Sequence, residues 1–196
     1  RVGLDVSLSR ASLSNSVVEV LSRGGPGNPD VLHVRHEGRD YVVKDFSVRG
    51  PWMRRIAPWL VRREMRSYEQ LQGHPAVPRL LSRLDELAFA VEYRPGEILG
   101  PQLAARVPPS FIVELREAVR EMHARGVVHL DLRHRSNALA DPDGHPVLID
   151  FASAVRFRPG GLAARILLPL VAWIDLRAIE KWERQLEAGR GAPADS

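Results

Sequence analysis

The 196-residue chain has no cysteine, so neither a disulfide framework nor thiolate chemistry is open to it. That absence is compatible with the cytosol. It also lacks any apolar run long enough to span a bilayer, and no charged-then-apolar leader opens the sequence given. Lysine is nearly missing as well: of 28 basic residues only Lys44 and Lys181 are lysines. Where arginine is the default cation, a lysine in a buried-looking strand is one needed as a compact point charge rather than a planar fork. Lys44 is such a residue. The composition that remains, 44% hydrophobic and 27% charged, excludes a disordered chain and allows one domain or two small lobes. A formal charge of +4 and a pI near 10.1 point to anionic partners. Nucleic acid is not expected among them, because no aromatic-basic recognition motif accompanies the charge.

Along the chain, residues 16–21, 31–36 and 41–46 read as three strands, with the breaker-rich loop Gly24-Gly25-Pro26-Gly27-Asn28-Pro29 after the first and the turn Glu37-Gly38 before the third. Residues 1–15 show no clear pattern. Residues 51–72 form a basic helix that Pro58 should kink or divide in two. Its apolar stripe runs through Leu60, Val61, Met65, Tyr68 and Leu71, and Glu64 falls on it. A carboxylate there is costly unless it is paired. Leu80-Leu81 and residues 87–93 are two further strands, and Arg94-Pro95-Gly96 is a break. Phe111, Ile112, Leu115, Ala118, Val119 and Met122 stripe a helix over residues 109–125, with Gly126 as its stop. A short strand at 127–129 and a hairpin around Asp141-Pro142-Asp143-Gly144 follow. A helical tail from Leu162 to Leu186 has a kink expected at Pro169; its apolar part up to Leu176 reads as core in preference to membrane contact. The whole is an α+β chain with its lobe boundary at 93–96.

Asp131 follows one apolar strand, Asp150 ends another, and Asn137 starts the hairpin between them. Two carboxylates and an amide at strand ends are hard oxygen ligands suited to Mg²⁺. Phosphoryl transfer needs little more than held phosphates, a placed metal and an oriented hydroxyl.

In this order the residues resemble the protein-kinase-like superfamily. His129-Leu130-Asp131-Leu132 with Asn137 is similar to its catalytic loop, and Asp150-Phe151-Ala152 to its metal-binding Asp-Phe-Gly motif. Tyr41-Val42-Val43-Lys44 resembles the strand that carries the phosphate lysine, Glu64 that lysine's helix partner, and Val91-Glu92-Tyr93-Arg94 the hinge that receives adenine. The resemblance runs from Gly24 to Val155. It implies a compact bilobal fold: an antiparallel sheet plus helix in an N-lobe (1–93) and a reduced, mainly helical C-lobe (94–196).

It also implies roles. Asp131 would accept the proton of the substrate hydroxyl, Arg133 would neutralise the transferred group, and Lys44 paired to Glu64 would hold phosphates. Glu69 on the same helix is the alternative to Glu64. Gly25 and Gly27 would lie over the phosphates of ATP, Glu92, Tyr93 and Arg94 would meet its adenine, and Asn137 with Asp150 would hold Mg²⁺. His123 and His134 read as structural or substrate-side. Three departures stand out. Five residues rather than four separate Asp131 from Asn137, so Ser136 competes for the ligand position. The glycine loop is interrupted by prolines, which offer no N–H to phosphate. Ala152 replaces a glycine.

No Ala-Pro-Glu follows Asp150, which points away from a peptide platform. The pattern is most similar to the bacterial lipopolysaccharide-core (Kdo/heptose) kinases, with RIO-type kinases next. The first implies an anionic glycan acceptor, lipid-linked or small, and a cytoplasmic enzyme in peripheral contact with the inner face of the membrane. A pseudokinase acting as a nucleotide-binding scaffold is the reading from another class. The Trp/Arg-rich segment 49–66 is equally open to lying on anionic lipid or to packing as a solvated helix.

Overall fold

The computed structural model describes residues 8–13 and 15–191. Residues 1–7, Ser14 and 192–196, parts of the two expected lobes, lie outside the described residues.

The described part of Arg1–Glu69 and the segment Pro78–Tyr93 make one unit. Its strands β1 (Val17–Ser22), β2 (Asp30–His36), β3 (Arg39–Asp45), β4 (Leu80–Arg83) and β5 (Ala88–Glu92) form an antiparallel sheet in the order β1-β2-β3-β5-β4. Glu37 and Gly38 both take positive φ (49° and 74°), so a two-residue turn closes β2 onto β3 with His36 opposite Arg39. On one face Tyr41, Val43, Ala88 and Ala90 pack with Val34 against Leu8 and Leu13, which belong to the segment of a short helix α1 (Arg10–Leu13). The described residues up to Leu13, patternless in sequence, thus cap the sheet. Arg10 bridges Asp45 and Asp85, the latter at 2.7 Å. Strand alternation sends Lys44 and its cross-strand neighbour Phe89 to the other face. Phe89 there meets Tyr68 of α2 (Pro51–Gln70), the rings 6.2 Å apart.

Helix α2 runs unbroken through Pro58, against the expected division. An interior proline forfeits a hydrogen bond at a cost of about 3 kcal/mol. The buried stripe of Met53, Ala57, Val61, Met65 and Tyr68, continuous across Pro58, outweighs that loss.

The second unit is Gln70–Val77 with the described part of Arg94–Ser196. The expected first lobe, 1–93, is therefore interrupted, because Gln70–Val77 finds its partners elsewhere. Arg125 donates to the carbonyls of Leu71 and Gln72, His74 bonds the carbonyl of Ala118 at 3.0 Å, and Leu148 N–H donates to Ala76 O at 2.7 Å. Strands β6 (Glu97–Ile98), β8 (Ala138–Ala140) and β9 (Pro146–Leu148) form one small antiparallel sheet. β7 (Val127–Val128) and β10 (Val155–Arg156) form another. Helix α3 (Phe111–Ala124) ends at Gly126, whose φ of +81° only glycine takes readily. A Cβ there would also collide with the carbonyl of Phe157.

Helix α4 (Leu162–Gly191) is continuous through Pro169. Its C-terminal part buries Ala178, Ile179, Trp182 and Leu186, but Leu162, Ile166, Leu170 and Trp173 are between 50% and 74% exposed. The first three turns are not core, contrary to the sequence reading. Leu162, Ile166, Leu170 and Trp173 lie on the face opposite the one that Asp175 and Trp182 turn inward. The architecture is α+β, with antiparallel sheets and four helices, and is compatible with a kinase-like fold.

Candidate functional site

The residues singled out from the sequence fall into two constellations, one within each unit.

In the first unit, Lys44 Nζ donates to Glu64 Oε1 at 2.6 Å. Both side chains are almost sealed, 8% and 4% exposed. Sheet alternation aims Lys44 toward α2, and the helical stripe aims Glu64 back at it. Glu69 is exposed, so the pairing selects Glu64. Gly25 and Gly27 lie in the exposed loop between β1 and β2. Asn28 N–H donates to Gly25 O at 3.1 Å, and Gly24 N–H donates to Asp30 at 3.1 Å. Arg49 ties the loop down through Asn28 O (2.7 Å) and an ion pair with Asp30. Neither Gly25 nor Gly27 is crowded: a Cβ at Gly25 would meet nothing within 4 Å, and one at Gly27 only the end of Met53.

The hinge segment is more committed than expected. Glu92 N–H already donates to Arg79 O (2.8 Å) and Tyr93 N–H to Asp40 O (3.4 Å). The Glu92 carboxylate pairs with Arg79, and the Tyr93 ring stacks on His33 with centroids 4.0 Å apart. Arg94, in the second unit, donates through its guanidinium to Pro75 O, and its backbone N–H has no acceptor among the described residues.

In the second unit, Asn137 Nδ2 donates at 2.9 Å to both the backbone carbonyl and Oδ2 of Asp131. That leaves Asn137 Oδ1 turned away from Asp131, where Ser136 Oγ reaches it at 3.3 Å. Ser136 is itself engaged with His134 at 2.6 Å. Ile149 N–H donates to Asn137 O at 3.0 Å, which brings Asp150 to within one residue of Asn137 across the hairpin. Asp150 has a left-handed backbone (φ 63°) and accepts from Ala152 N–H at 3.3 Å, opening a short 3-10 turn over Phe151–Ser153. Among the described residues there is no group of three or more His, Cys, Asp or Glu able to hold a metal. Asn137 and Asp150 would offer two hard oxygens, a donor set that fits Mg²⁺, which keeps waters and phosphate oxygens for its other positions. Arg133 is exposed, and its carbonyl receives Lys181 Nζ at 3.1 Å.

His129 is fully buried against the ring of Phe151. Its Nε2 bonds Ile149 O at 3.0 Å and its Nδ1 faces Asp131 N–H at 3.4 Å, so the proton sits on Nε2. Burial pushes its pKa below the ordinary value, so the ring is neutral and acts as a spacer rather than a cation.

Sequence reasoning missed Asp175. It is 0% exposed in the middle of α4, and it accepts from the backbone N–H of His129 and Leu130, each at 2.8 Å, and from His123 Nε2 at 2.9 Å. Leu130 has φ 68°, a left-handed conformation that strains a bulky residue by about 1–3 kcal/mol. Asp175 holds it there. Two turns further along, Trp182 Nε1 donates to Leu132 O (2.9 Å) and Lys181 to Arg133 O. The two residues on either side of Asp131 are thus fastened by one helix. The signal was available: Asp175 sits on the apolar stripe Ala172, Ile179, Trp182, Leu186, as Glu64 does on its own helix.

No protein-family model matches the chain. It is 26% identical over 152 residues to a serine/threonine-protein kinase C of Synechocystis, covering 69% of this chain and 28% of that protein. It is 26% identical over 167 residues to mouse myotonin-protein kinase, covering 77% and 25%. With rat citron rho-interacting kinase it shares 30% over 102 residues, 47% of this chain and 5% of the other. The chain is kinase-like. The likeness supports the kinase-like superfamily and no finer family. The chain matches about a quarter of the length of the first two of these relatives.

Proposed function

We propose that the chain is an ATP- and Mg²⁺-dependent phosphotransferase acting on a hydroxyl of a non-peptide acceptor, of the lipopolysaccharide-core sugar type. The observation that carries this reading is the Lys44–Glu64 pair, sealed from solvent at 2.6 Å in a chain that writes almost every other cation as arginine. A dry ion pair is weak evidence for stability alone, since its desolvation offsets its attraction. A poised point charge for phosphate oxygens gives it a use.

In this reading Lys44, held by Glu64, would grip phosphates. Gly25 and Gly27, which neither crowding nor positive φ requires, would let backbone approach them. The N–H of Arg94 would serve adenine. Asn137 and Asp150 would hold Mg²⁺, which would screen charge on the transferred group. Asp131, its carboxylate oriented by Asn137, would take the acceptor proton as the acceptor oxygen bonds phosphorus and the bond to ADP breaks. Arg133 would neutralise the group in transit.

A non-peptide acceptor is supported by the short link after the metal ligand. Residues 151–161 alone join Asp150 to α4, too few for a long activation segment. A RIO-like protein kinase remains the second reading, since the named relatives are protein kinases. A cytoplasmic site at an anionic membrane face is supported by α2, where Trp52 (71% exposed) and Trp59 (62%) stand among exposed arginines. Co-sedimentation with phosphatidylglycerol vesicles tests that placement, and no loss on Trp52→Ala/Trp59→Ala contradicts it.

The functional test is a thermal shift with ATP, with and without Mg²⁺. The expected result is a rise in Tm that needs Lys44 and, for its Mg²⁺-dependent part, Asp150. No shift, or one unchanged by Lys44→Met and Asp150→Asn, overturns the nucleotide site.

A further inference from the structure

Beside the loop that carries Asp131, α4 lines a cavity of about 670 Å³ with Arg177, Lys181 and Arg184, and Arg133 closes it from the loop. The three helical cations recur at i, i+4 and i+7, so they share one face. Against these four positive charges the lining has one carboxylate, Glu180. None of the four is within ion-pairing distance of an acid among the described residues. Glu183, the next acid on α4, is taken by Arg116 at 2.8 Å. Lys181 is one of the chain's two lysines. It spends its ammonium on a neutral carbonyl, that of Arg133 at 3.1 Å, and lies 4.6 Å from the Trp182 ring centroid. Trp173, half exposed, stands at the edge with Arg177 stacked 5.0 Å from its ring centroid.

Four like charges gathered in a concavity repel one another unless an anion joins them, and guanidinium forks are shaped for two-oxygen anions. An indole with half its surface open offers a flat apolar face to the body of a ring-containing molecule. We infer that this cavity is the acceptor subsite: it takes a phosphate or carboxylate borne by the acceptor through Arg177, Lys181 and Arg184, while Trp173 packs against the acceptor's ring. The inference rests on the phosphotransferase reading for its meaning as an acceptor site. The Lys181–Arg133 hydrogen bond joins the subsite wall to the loop two residues from Asp131, so an anchored acceptor is registered against that loop.

Titration calorimetry on the full chain with glucose 6-phosphate, glucuronate and uncharged glucose tests it. The expected result is saturable binding of at least one of the two anionic sugars and none of glucose. Arg177→Gln/Arg184→Gln should weaken that binding at least about tenfold, and Trp173→Ala less. Both substitutions fall on exposed positions and leave the Lys181 bond intact, and an unchanged ATP–Mg²⁺ thermal shift certifies the fold. Vesicles of phosphatidylcholine doped with phosphatidate form a second arm. Binding that glucose 6-phosphate displaces assigns the anion to a lipid-linked acceptor, and binding of the soluble sugar alone assigns it to a free one. No saturable binding of either anionic sugar, or binding indifferent to the double substitution, overturns the subsite. So does an acidic peptide that binds through the same arginines when the sugars do not. The two readings fail separately: loss of the ATP shift with anionic-sugar binding kept removes the kinase and leaves the anion site.

Discussion

The two constellations are held in opposite ways. Lys44 is placed by a side chain, Glu64, through a charged bond of 2.6 Å in a dry site. Asp131 is placed by its backbone: Asp175, Trp182 and Lys181 of α4 fasten His129, Leu130, Leu132 and Arg133, and Asn137 fastens Asp131 itself. In the proposed reading Lys44 would grip phosphates, and that needs a charge nearby. Asp131 would present a carboxylate at a fixed angle, for which a rigid loop is needed, and several independent bonds hold this loop with its left-handed Leu130.

That difference can be broken by substitution, and the largest effect is expected at the backbone anchor. Asp175→Ala strips a buried acceptor from three donors and releases the Leu130 strain. It should cost on the order of 5 kcal/mol in urea unfolding, with loss of any transfer activity. Glu64→Ala removes the carboxylate that Lys44 meets and should cost about 3 kcal/mol by the same measurement. If Glu64→Ala proves the costlier, the contrast is wrong. Lys44→Met/Glu64→Leu sharpens it: apolar replacement of both partners should leave stability within about 1 kcal/mol of the parent while abolishing the ATP shift.

Acidification comes next. Burial lowers the pKa of both His74 and His129 below 6.5, so the unfolded chain binds their protons first. Their contribution is constant above pH 6.5. Stability should fall as pH drops below it, by up to about 1.4 kcal/mol per pH unit for each histidine. His145, raised by its hydrogen bond to Glu114, has the opposite sign, but it is exposed and screened. Denaturant midpoints between pH 7 and 5 check this, and a flat profile contradicts it. The smallest effect is Trp182→Phe, which loses one indole bond to Leu132 O and should cost about 1 kcal/mol.

Much of this was legible in the sequence because it is local. The turn at Glu37-Gly38, the strand alternation that carries Lys44 and the stripe that carries Glu64 all follow from neighbours along the chain. Ser136, which competed with Asn137 in the sequence, bonds His134 at 2.6 Å and reaches Asn137 Oδ1 at 3.3 Å. What escaped notice was phase and distance. The part up to Leu176 was read as core, yet Trp173 lies nine residues before Trp182, and nine residues at about 100° each place the two half a turn apart. Trp173 is exposed and Trp182 buried. With the phase set by Trp182, Asp175, seven residues earlier, falls on the buried face. The rule that flagged Glu64 then flags Asp175 as well. The division allowed at Pro58 failed for another reason, since one lost backbone bond is small beside the packing of a long stripe. The cap made by Leu8, Arg10 and Leu13 has no periodicity to read, because its partners, Asp45 and Asp85 among them, lie far along the chain.

The role proposed for Asp131 and Asp150 in phosphoryl transfer from ATP is tested by turnover of γ-labelled ATP in Mg²⁺ by the parent, Asp131→Asn and Asp150→Asn. The parent should release or transfer label, and each variant should fall at least about a hundredfold with its fold unchanged by circular dichroism. Turnover that is equal in all three, or absent from the parent while ATP–Mg²⁺ still raises its Tm, would contradict it and leave a nucleotide-binding scaffold.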